Sequence, residues 1–545
     1  MVLLKKYIHL LLLLCILIFS FKIRYISPTS LADLTPPDSS EYSLSAYNLY
    51  HYHIIGIKFY GQYYPLKYPY GYPLLIIPFY IIFGNQPYNA VYCTLFFALL
   101  SIVFAYLIGK ELGNRFTGLI AALFVSLCPT HISFSKFVMT ETSSTFLAIF
   151  ICWLLLKVTH LNLRIQNFLL LLFLGLITGF SVSVHLTNFL FIPPVLISLL
   201  LGGKSNPWSI FTKEAIVLVG IILALAPLLH YQFHTFGSPL KTGYEVREPD
   251  RYGQKIKSFS FKFFAHPHHG FKMGNFIVFL LVFLGMTKTF YPATMVPLLV
   301  GGFLFILSER RQPNKKMIFL IFSSILVCSL FAFFSFYAVQ QGRHLLQGIP
   351  LLMVLAAYGL TLSIDKGIFK SLTKRSIFSL IMLGLFLMTI IQMGIWSYSQ
   401  PKSSGWIVNR QYKMIEEIKK HIPNNCIIIS QLNPIIAEQY FTEHTAGKIV
   451  HVSLSVTPHW ARIEKGQIKP IRYDRAKKYS FLFLRDRTIN PITHNYIRQS
   501  LKKDVPVYLF RFPASERLFP HIQRLFKTVE KKEDSRLFRL YLKDW

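Results

Sequence analysis

The chain has 545 residues, 53% hydrophobic and 16% aromatic, with a mean hydropathy of +0.44. Apolar runs recur from residue 7 to about residue 397, which excludes an ordinary soluble globule and indicates a polytopic membrane protein. The formal charge of +33 would suit nucleic acid, but the Lys and Arg residues gather in short loops and in the C-terminal part. Membrane topology and anionic headgroups account for them, so nucleic acid is set aside as a partner.

In chain order, Lys5 and Lys6 precede a first apolar run, about 7–23, that lacks a small-residue cleavage site and reads as an uncleaved span. Further runs at about 88–109, 116–130, 138–156, 167–183, 188–202, 214–231, 291–308, 317–338, 345–363 and 376–397 bring the expectation to about 11 transmembrane helices. Two shorter pieces, 72–83 and 275–287, are too short to cross and are expected to be interfacial or re-entrant. Every second loop is basic, from Lys110 and Arg115 through Lys157 and Arg164, Lys204 and Lys213, and Arg310, Arg311, Lys315 and Lys316 to Lys366–Arg375. That alternation predicts a cytoplasmic N-terminus and an outer C-terminus.

Two long loops, 24–87 and 232–290, then face outward, as does the region 398–545. There QYKMIEEIKKHI has helical spacing, while NNCIIIS, KKYSFLFLRD and VPVYLFRF read as strands. The expected architecture is an all-α polytopic membrane domain, 1–397, followed by an extracytoplasmic α/β domain, 398–545. The basic surface of the latter suits anionic lipid or polysaccharide, or is simply solvated. Five of the six cysteines fall in apolar runs and Cys426 alone in the polar region, so no disulfide framework or Cys metal site is expected. No internal repeat is evident, which counts against transporters built from duplicated halves.

The ionisable residues at the outer ends of the spans are the candidates for chemistry. Asp38 and Glu41 open the first outer loop, three apart. A partly desolvated carboxylate there is suited to act as a general base; equally, Pro37-Asp38-Ser39-Ser40-Glu41 has the pattern of a helix cap with Glu at N3. Glu141, at the outer edge of the fourth span, must be paired or wet to be tolerated. Lys67 and Arg343-His344 are outer cations, against the positive-inside bias, and suit phosphate oxygens or lipid headgroups. His266, His268 and His269 in AHPHHG lack a further ligand at metal spacing, and a solvated loop is the better reading.

The order of these residues resembles one family. Asp38, Glu41-Tyr42, Ala46, Asn48-Leu49 and Lys67-Tyr68-Pro69-Tyr70-Gly71-Tyr72-Pro73-Leu74-Leu75 follow the first outer loop of GT-C superfamily glycosyltransferases of the protein O-mannosyltransferase and aminoarabinose-transferase type. TETSSTFLAIF (Glu141), FGSPLKTGY (Phe236 to Tyr244) and GRHLLQGIPLL (Arg343, Pro350) match further family segments in the same order. His344 and Gln347 replace the usual Tyr and Pro, SVSVHLTN lacks an Arg often seen there, and no WWDYG-like motif is present. The resemblance implies an inverting transferase that uses a polyprenyl-phosphate-linked sugar donor and a hydroxyl acceptor of the cell envelope, at the outer face of a bacterial inner membrane. It implies Asp38, or Glu41, as base; Glu141 as orienting acid; Lys67 and Arg343 on the phosphate; Tyr42, Tyr68, Tyr244 and His344 around donor and acceptor; and no cofactor or metal. A lipid or small-molecule transporter and a non-catalytic envelope scaffold are the competing readings.

Overall fold

A bilayer offers no water to backbone N–H and C=O groups, so apolar stretches this long close their own hydrogen bonds as helices. The computed structural model describes residues 2–25, 37–59, 62–159, 165–202, 207–244, 273–308, 315–336, 342–366, 372–399, 420–423, 426–430, 449–453, 461–464, 467–470, 491–510, 519–530 and 537–542. The helices of the first part are α1 (Val2–Arg24), α2 (Pro37–Tyr52), α3 (Gly71–Phe83), α4 (Val91–Leu112), α5 (Arg115–Ser126), α6 (Pro129–Phe134), α7 (Thr140–Val158), α8 (Ile165–Val184), α9 (Ile192–Gly202) and α10 (Pro207–Phe236). They continue as α11 (Met273–Phe283), α12 (Val296–Ser308), α13 (Lys315–Ser335), α14 (Ile349–Lys366) and α15 (Leu372–Tyr398). A hairpin, β1 (Ile57–Phe59) with β2 (Gln62–Tyr64), lies between α2 and α3.

Seven helices among the described residues are long and apolar enough to span a membrane; the expected spans at 116–130, 188–202, 291–308 and 345–363 are helical but shorter. The departures have local causes. The run 116–130 breaks at Leu127-Cys128, because Pro129 opens the separate helix α6. The runs 188–202 and 345–363 begin within 3-10 turns, Leu186–Phe191 and Gly342–Leu345. The pieces at 72–83 and 275–287 are the short helices α3 and α11, each about 20 Å or less in length, below the thickness of the hydrocarbon core.

Helix α7 sits at the centre of the bundle and is almost wholly buried, whereas little of the span Ser379–Tyr398 is. Helices α8 and α10 approach backbone to backbone, since a Cβ on Gly175 or Gly179 would collide with the carbonyls of Val217 or Ile221. This is small-xxx-small packing. Gly71 plays the same part where α3 meets the end of α8: a Cβ there would strike the Ser183 carbonyl. Gly71→Ala is therefore expected to destabilise the protein by about 1–3 kcal/mol, read as a fall in unfolding temperature. Gly301→Ala, with open space around it, is the control expected to leave that temperature unchanged or slightly raised.

The ion pairs sort the helix ends onto two faces. On one, Glu111 at the end of α4 accepts from Lys157 of α7 (2.7 Å) and from Lys315 of α13, while Lys213 of α10 donates to the Thr159 carbonyl (3.2 Å). These belong to the basic loops of the sequence. On the other face Arg24, buried at the end of α1, donates to the last carbonyls of α5, those of Val125 (3.3 Å) and Ser126 (2.9 Å), and contacts His131 Nδ1 (3.2 Å). An arginine at orphan helix-end carbonyls satisfies them and suits the negative end of the helix dipole.

In the C-terminal part the described strands β3 (Cys426–Ser430), β4 (Ile449–Ser453), β5 (Ala461–Glu464), β6 (Gln467–Pro470), β7 (Val507–Phe510), β8 (Lys527–Glu530) and β9 (Leu537–Tyr541) are joined by α16 (Pro491–Lys502) and α17 (Phe519–Leu525). Five strands form a mixed sheet in the order β4-β3-β7-β9-β8, with β3 parallel to both neighbours. The expected strands in NNCIIIS and VPVYLFRF are β3 and β7. The expected helix QYKMIEEIKKHI, apart from its last residues, and the expected strand KKYSFLFLRD lie outside the described residues, as does AHPHHG. The β5–β6 hairpin comes up against β2 of the first loop.

Candidate active site

Helix α2 starts at Pro37, a favourable first-turn residue because its missing N–H would be unpaired there anyway. Asp38 thus lies inside the first turn, half-buried, and is not the cap residue. A carboxylate in that turn gains from the helix dipole. Glu41, one turn on, is buried, and its Oε1 accepts the backbone N–H of Lys67 at 3.0 Å. The capping-box expectation is corrected in this respect: Glu41 reaches 26 residues forward, tying α2 to the strand-to-helix turn that carries Lys67.

That turn is held from a second side. Gly243, in the segment after α10, packs so closely that a Cβ would strike the carbonyls of Leu66 and Lys67. Lys67 Nζ then stands 5.1 Å from the Tyr68 ring centroid and 5.2 Å from that of Tyr244, within cation–π range. Tyr68 meets Tyr42 at 4.7 Å and Tyr244 edge-on at 5.4 Å, and Tyr42 meets Tyr72 edge-on at 5.1 Å. Leu66, Lys67, Tyr68, Tyr231, Gln232 and Thr242 border a shallow recess of about 10 Å³, room for about one water molecule. This is smaller than ordinary ligand clefts, and we read it as the flank of Lys67.

Burial raises the Tyr68 phenol well above its ordinary pKa, and Asp38, Tyr244, Tyr42 and Glu41 add to the effect in that order. Tyr42 is raised likewise, by burial first and then by Tyr244, Asp38 and Glu141. Both phenols therefore stay protonated at neutral pH.

The second cluster is built on α7 and the turn before α14. Glu141, in the first turn of α7, pairs through Oε1 with Arg343 at 3.3 Å, with side chains 10% and 18% exposed. The Arg343 guanidinium also lies 5.8 Å over the Phe134 ring. His344 stacks on Phe334 at 4.5 Å. Burial, then Arg343, then His185 lowers its pKa to about 3; burial and then Arg343 lowers that of His185 to about 4. Both imidazoles are neutral. His185 is a residue that the sequence reading passed over, although an ionisable residue closing an apolar run is the same signal that singled out Glu141.

All nine residues expected at the site lie in these two connected clusters, and Asp38, Tyr42 and Glu141 feel one another across the junction. The arrangement offers a carboxylate able to take a proton, two cations able to receive an anion, and a wall of tyrosines for a ring-shaped ligand. Among the described residues no group of three or more His, Cys, Asp or Glu side chains is placed to hold a metal ion.

Residues 67–231 match the family model described as dolichyl-phosphate-mannose-protein mannosyltransferase. No curated protein matches the chain. Among solved structures, the chain is similar to ArnT from Cupriavidus metallidurans. The TM-score is 0.57 at 12% identity for the apo state and 0.58 at 11% for the form bound to undecaprenyl phosphate. Both alignments cover 98% of this chain and 97% of that one. The archaeal oligosaccharyltransferase AglB from Archaeoglobus fulgidus, in complex with an inhibitory peptide and a dolichol-phosphate, aligns at TM-score 0.55 and 13% identity. That alignment covers 93% of this chain and 70% of that one. Likeness at such identities, over nearly the whole chain, is likeness of fold.

Proposed function

We propose, from the GT-C glycosyltransferase fold that this chain carries, that it is an inverting transferase moving a sugar from a polyprenyl-phosphate-linked donor to a hydroxyl of an envelope acceptor. The acceptor is a lipid, polysaccharide or protein, and the site face is the outer face of a bacterial inner membrane, with the N-terminus cytoplasmic. Residues 1–397 form the catalytic membrane domain and 398–545 an outer domain. One observation carries the reading: Asp38, the Glu141–Arg343 pair and Lys67 converge at one end of the bundle. The undecaprenyl phosphate and dolichol-phosphate bound by the ArnT and AglB structures support a lipid-linked donor.

In the proposed step the acceptor oxygen attacks the anomeric carbon while Asp38 takes its proton. The bond from that carbon to the phosphate oxygen breaks on the opposite face, and polyprenyl phosphate leaves with the electron pair. Lys67 and Arg343 stabilise the charge that collects on it. Glu41 acts through Lys67, whose backbone it fixes, and Glu141 orients Arg343 and the reacting groups. Tyr42, Tyr68, Tyr244 and His344 line the space for sugar and acceptor. Among the described residues the Glu111–Lys157, Glu111–Lys315 and Glu141–Arg343 ion pairs join helix ends rather than sitting at mid-membrane, which favours surface chemistry over a transport pathway.

The test is to incubate the purified protein with polyprenyl-phospho-sugars and envelope acceptors. Release of polyprenyl phosphate with a glycosylated acceptor is expected; translocation of the lipid without bond cleavage would overturn the reading. Lys67→Ala is expected to raise the donor KM about tenfold or more, as loss of a charge-assisted phosphate contact does. Lys67→Arg should recover part of that loss.

A further inference from the structure

A lysine ends in a compact charge on a flexible stem, so the place of the Lys67 ammonium depends on what holds the residue. From the side of α2, Glu41 fixes its backbone by accepting the Lys67 N–H at 3.0 Å. The other side is closed by Gly243 and Tyr244, which follow α10 and are remote from Lys67 in sequence.

Gly243 is buried. A Cβ built on it would lie 2.6 Å from the Lys67 carbonyl oxygen and 2.7 Å from Lys67 Cα, with the Leu66 carbonyl oxygen closer still. All three atoms are backbone, so no side-chain rotation makes room. Gly243 lacks the positive φ of Gly237 and Gly285, so close approach, and not a special backbone conformation, is what calls for glycine there. The Lys67 turn has no space to retreat into, since Leu66 and Tyr68 are buried and the recess bordered by both segments has room for about one water molecule.

The next residue acts on the other end of the lysine. The Tyr244 ring centroid is 5.2 Å from Lys67 Nζ and that of Tyr68 is 5.1 Å away, and the two rings meet edge-on at 5.4 Å. The ammonium is thus bracketed by rings from two separate segments, each within cation–π range.

We infer that Gly243 and Tyr244 are the positioning residues of Lys67: the glycine sets where the Lys67 backbone sits, and the Tyr244 ring holds the ammonium in place for the carrier phosphate. The inference rests on the transferase reading, in which Lys67 meets that phosphate. It adds two residues that act on the phosphate through Lys67.

The test is a double-mutant cycle on affinity for undecaprenyl phosphate, which carries no sugar and so isolates the phosphate contact. Purified wild type, Gly243→Ala, Lys67→Ala and the double variant are compared, with unfolding temperatures measured alongside. Gly243→Ala is expected to weaken binding about 5- to 50-fold, because a misplacement of about 1 Å is costly at a positioned contact. Added to Lys67→Ala it should cost less than about twofold more, because the group it positions is already gone. Tyr244→Leu removes the ring and keeps the glycine contact. It should weaken binding about 2- to 10-fold, be equally silent behind Lys67→Ala, and carry the test if Gly243→Ala fails to fold. Gly302→Ala, whose Cβ would strike the Leu355 carbonyl between α12 and α14, is the control: its unfolding temperature should fall and its affinity should not change. Losses that multiply in either cycle would overturn the assignment. So would unchanged affinity in a folded Gly243→Ala or in Tyr244→Leu, or an equal loss in Gly302→Ala. Failure of wild type to bind undecaprenyl phosphate would instead overturn the transferase reading.

Discussion

Asp38→Asn is expected to lower transfer by about 10²- to 10⁴-fold, the range that a positioned general base supplies, while the protein stays folded. Three carboxylates reach the site, and two are committed. Glu41 accepts the Lys67 backbone N–H, and Glu141 is paired with Arg343. The tyrosines are no substitute, because burial and the surrounding carboxylates hold the Tyr42 and Tyr68 phenols protonated. Asp38 is half-buried at the start of α2, so solvent and acceptor can reach it. Asparagine keeps the shape and loses only the proton-accepting oxygen and a helix-dipole contribution of about 0.3–1 kcal/mol. The measurement is single-turnover transfer beside thermal unfolding. Glu41→Gln supplies the contrast: it should weaken donor use by loosening the Lys67 turn, yet leave the single-turnover rate with saturating donor within a few-fold of wild type. Near-normal turnover in Asp38→Asn would move the base elsewhere.

Much of this was legible in residue order. Apolar length gave the helices, and the loops read as lying on one side include those whose helix ends carry Glu111, Lys157 and Lys315, which meet in ion pairs. The motif around Lys67-Tyr68-Pro69-Tyr70-Gly71 and the Arg343 turn were recognisable because tight turns and close approaches leave Pro and Gly in fixed places; Gly71 against Ser183 is the physical reason for one of them. What escaped reading were contacts that local pattern disguises. Glu41 stands where a capping box would put it, but a backbone N–H distant in sequence wins its carboxylate. Arg24, just past the first apolar run, is buried against the end of α5, a contact between segments distant in sequence. In the C-terminal sheet, β3 and β7 announced themselves as apolar runs. β9 (LFRLY), which pairs with β7, and the edge strand β8 (KTVE) beyond it carry charges and did not.

Arg343→Ala should be the most destabilising change at the site and should cripple transfer as well, and the two effects are separable. Removing one partner of a buried pair strands the other charge. With Glu141 10% exposed, the expected cost is about 3–5 kcal/mol, read as a lowered unfolding temperature in detergent. Solvation cannot rescue the carboxylate where it stands, but neutralising it can. The double variant Arg343→Ala/Glu141→Gln should therefore recover most of the lost stability. It should not recover transfer, because the group proposed to meet the leaving phosphate is still missing. Arg343→Lys retains the charge but not the planar fork that spans Glu141 and a phosphate together, so it should fold well and show an intermediate donor KM. If the double variant regained near wild-type transfer along with its stability, Arg343 would be a structural counter-ion to Glu141, and the charge on the departing polyprenyl phosphate would rest on Lys67 alone.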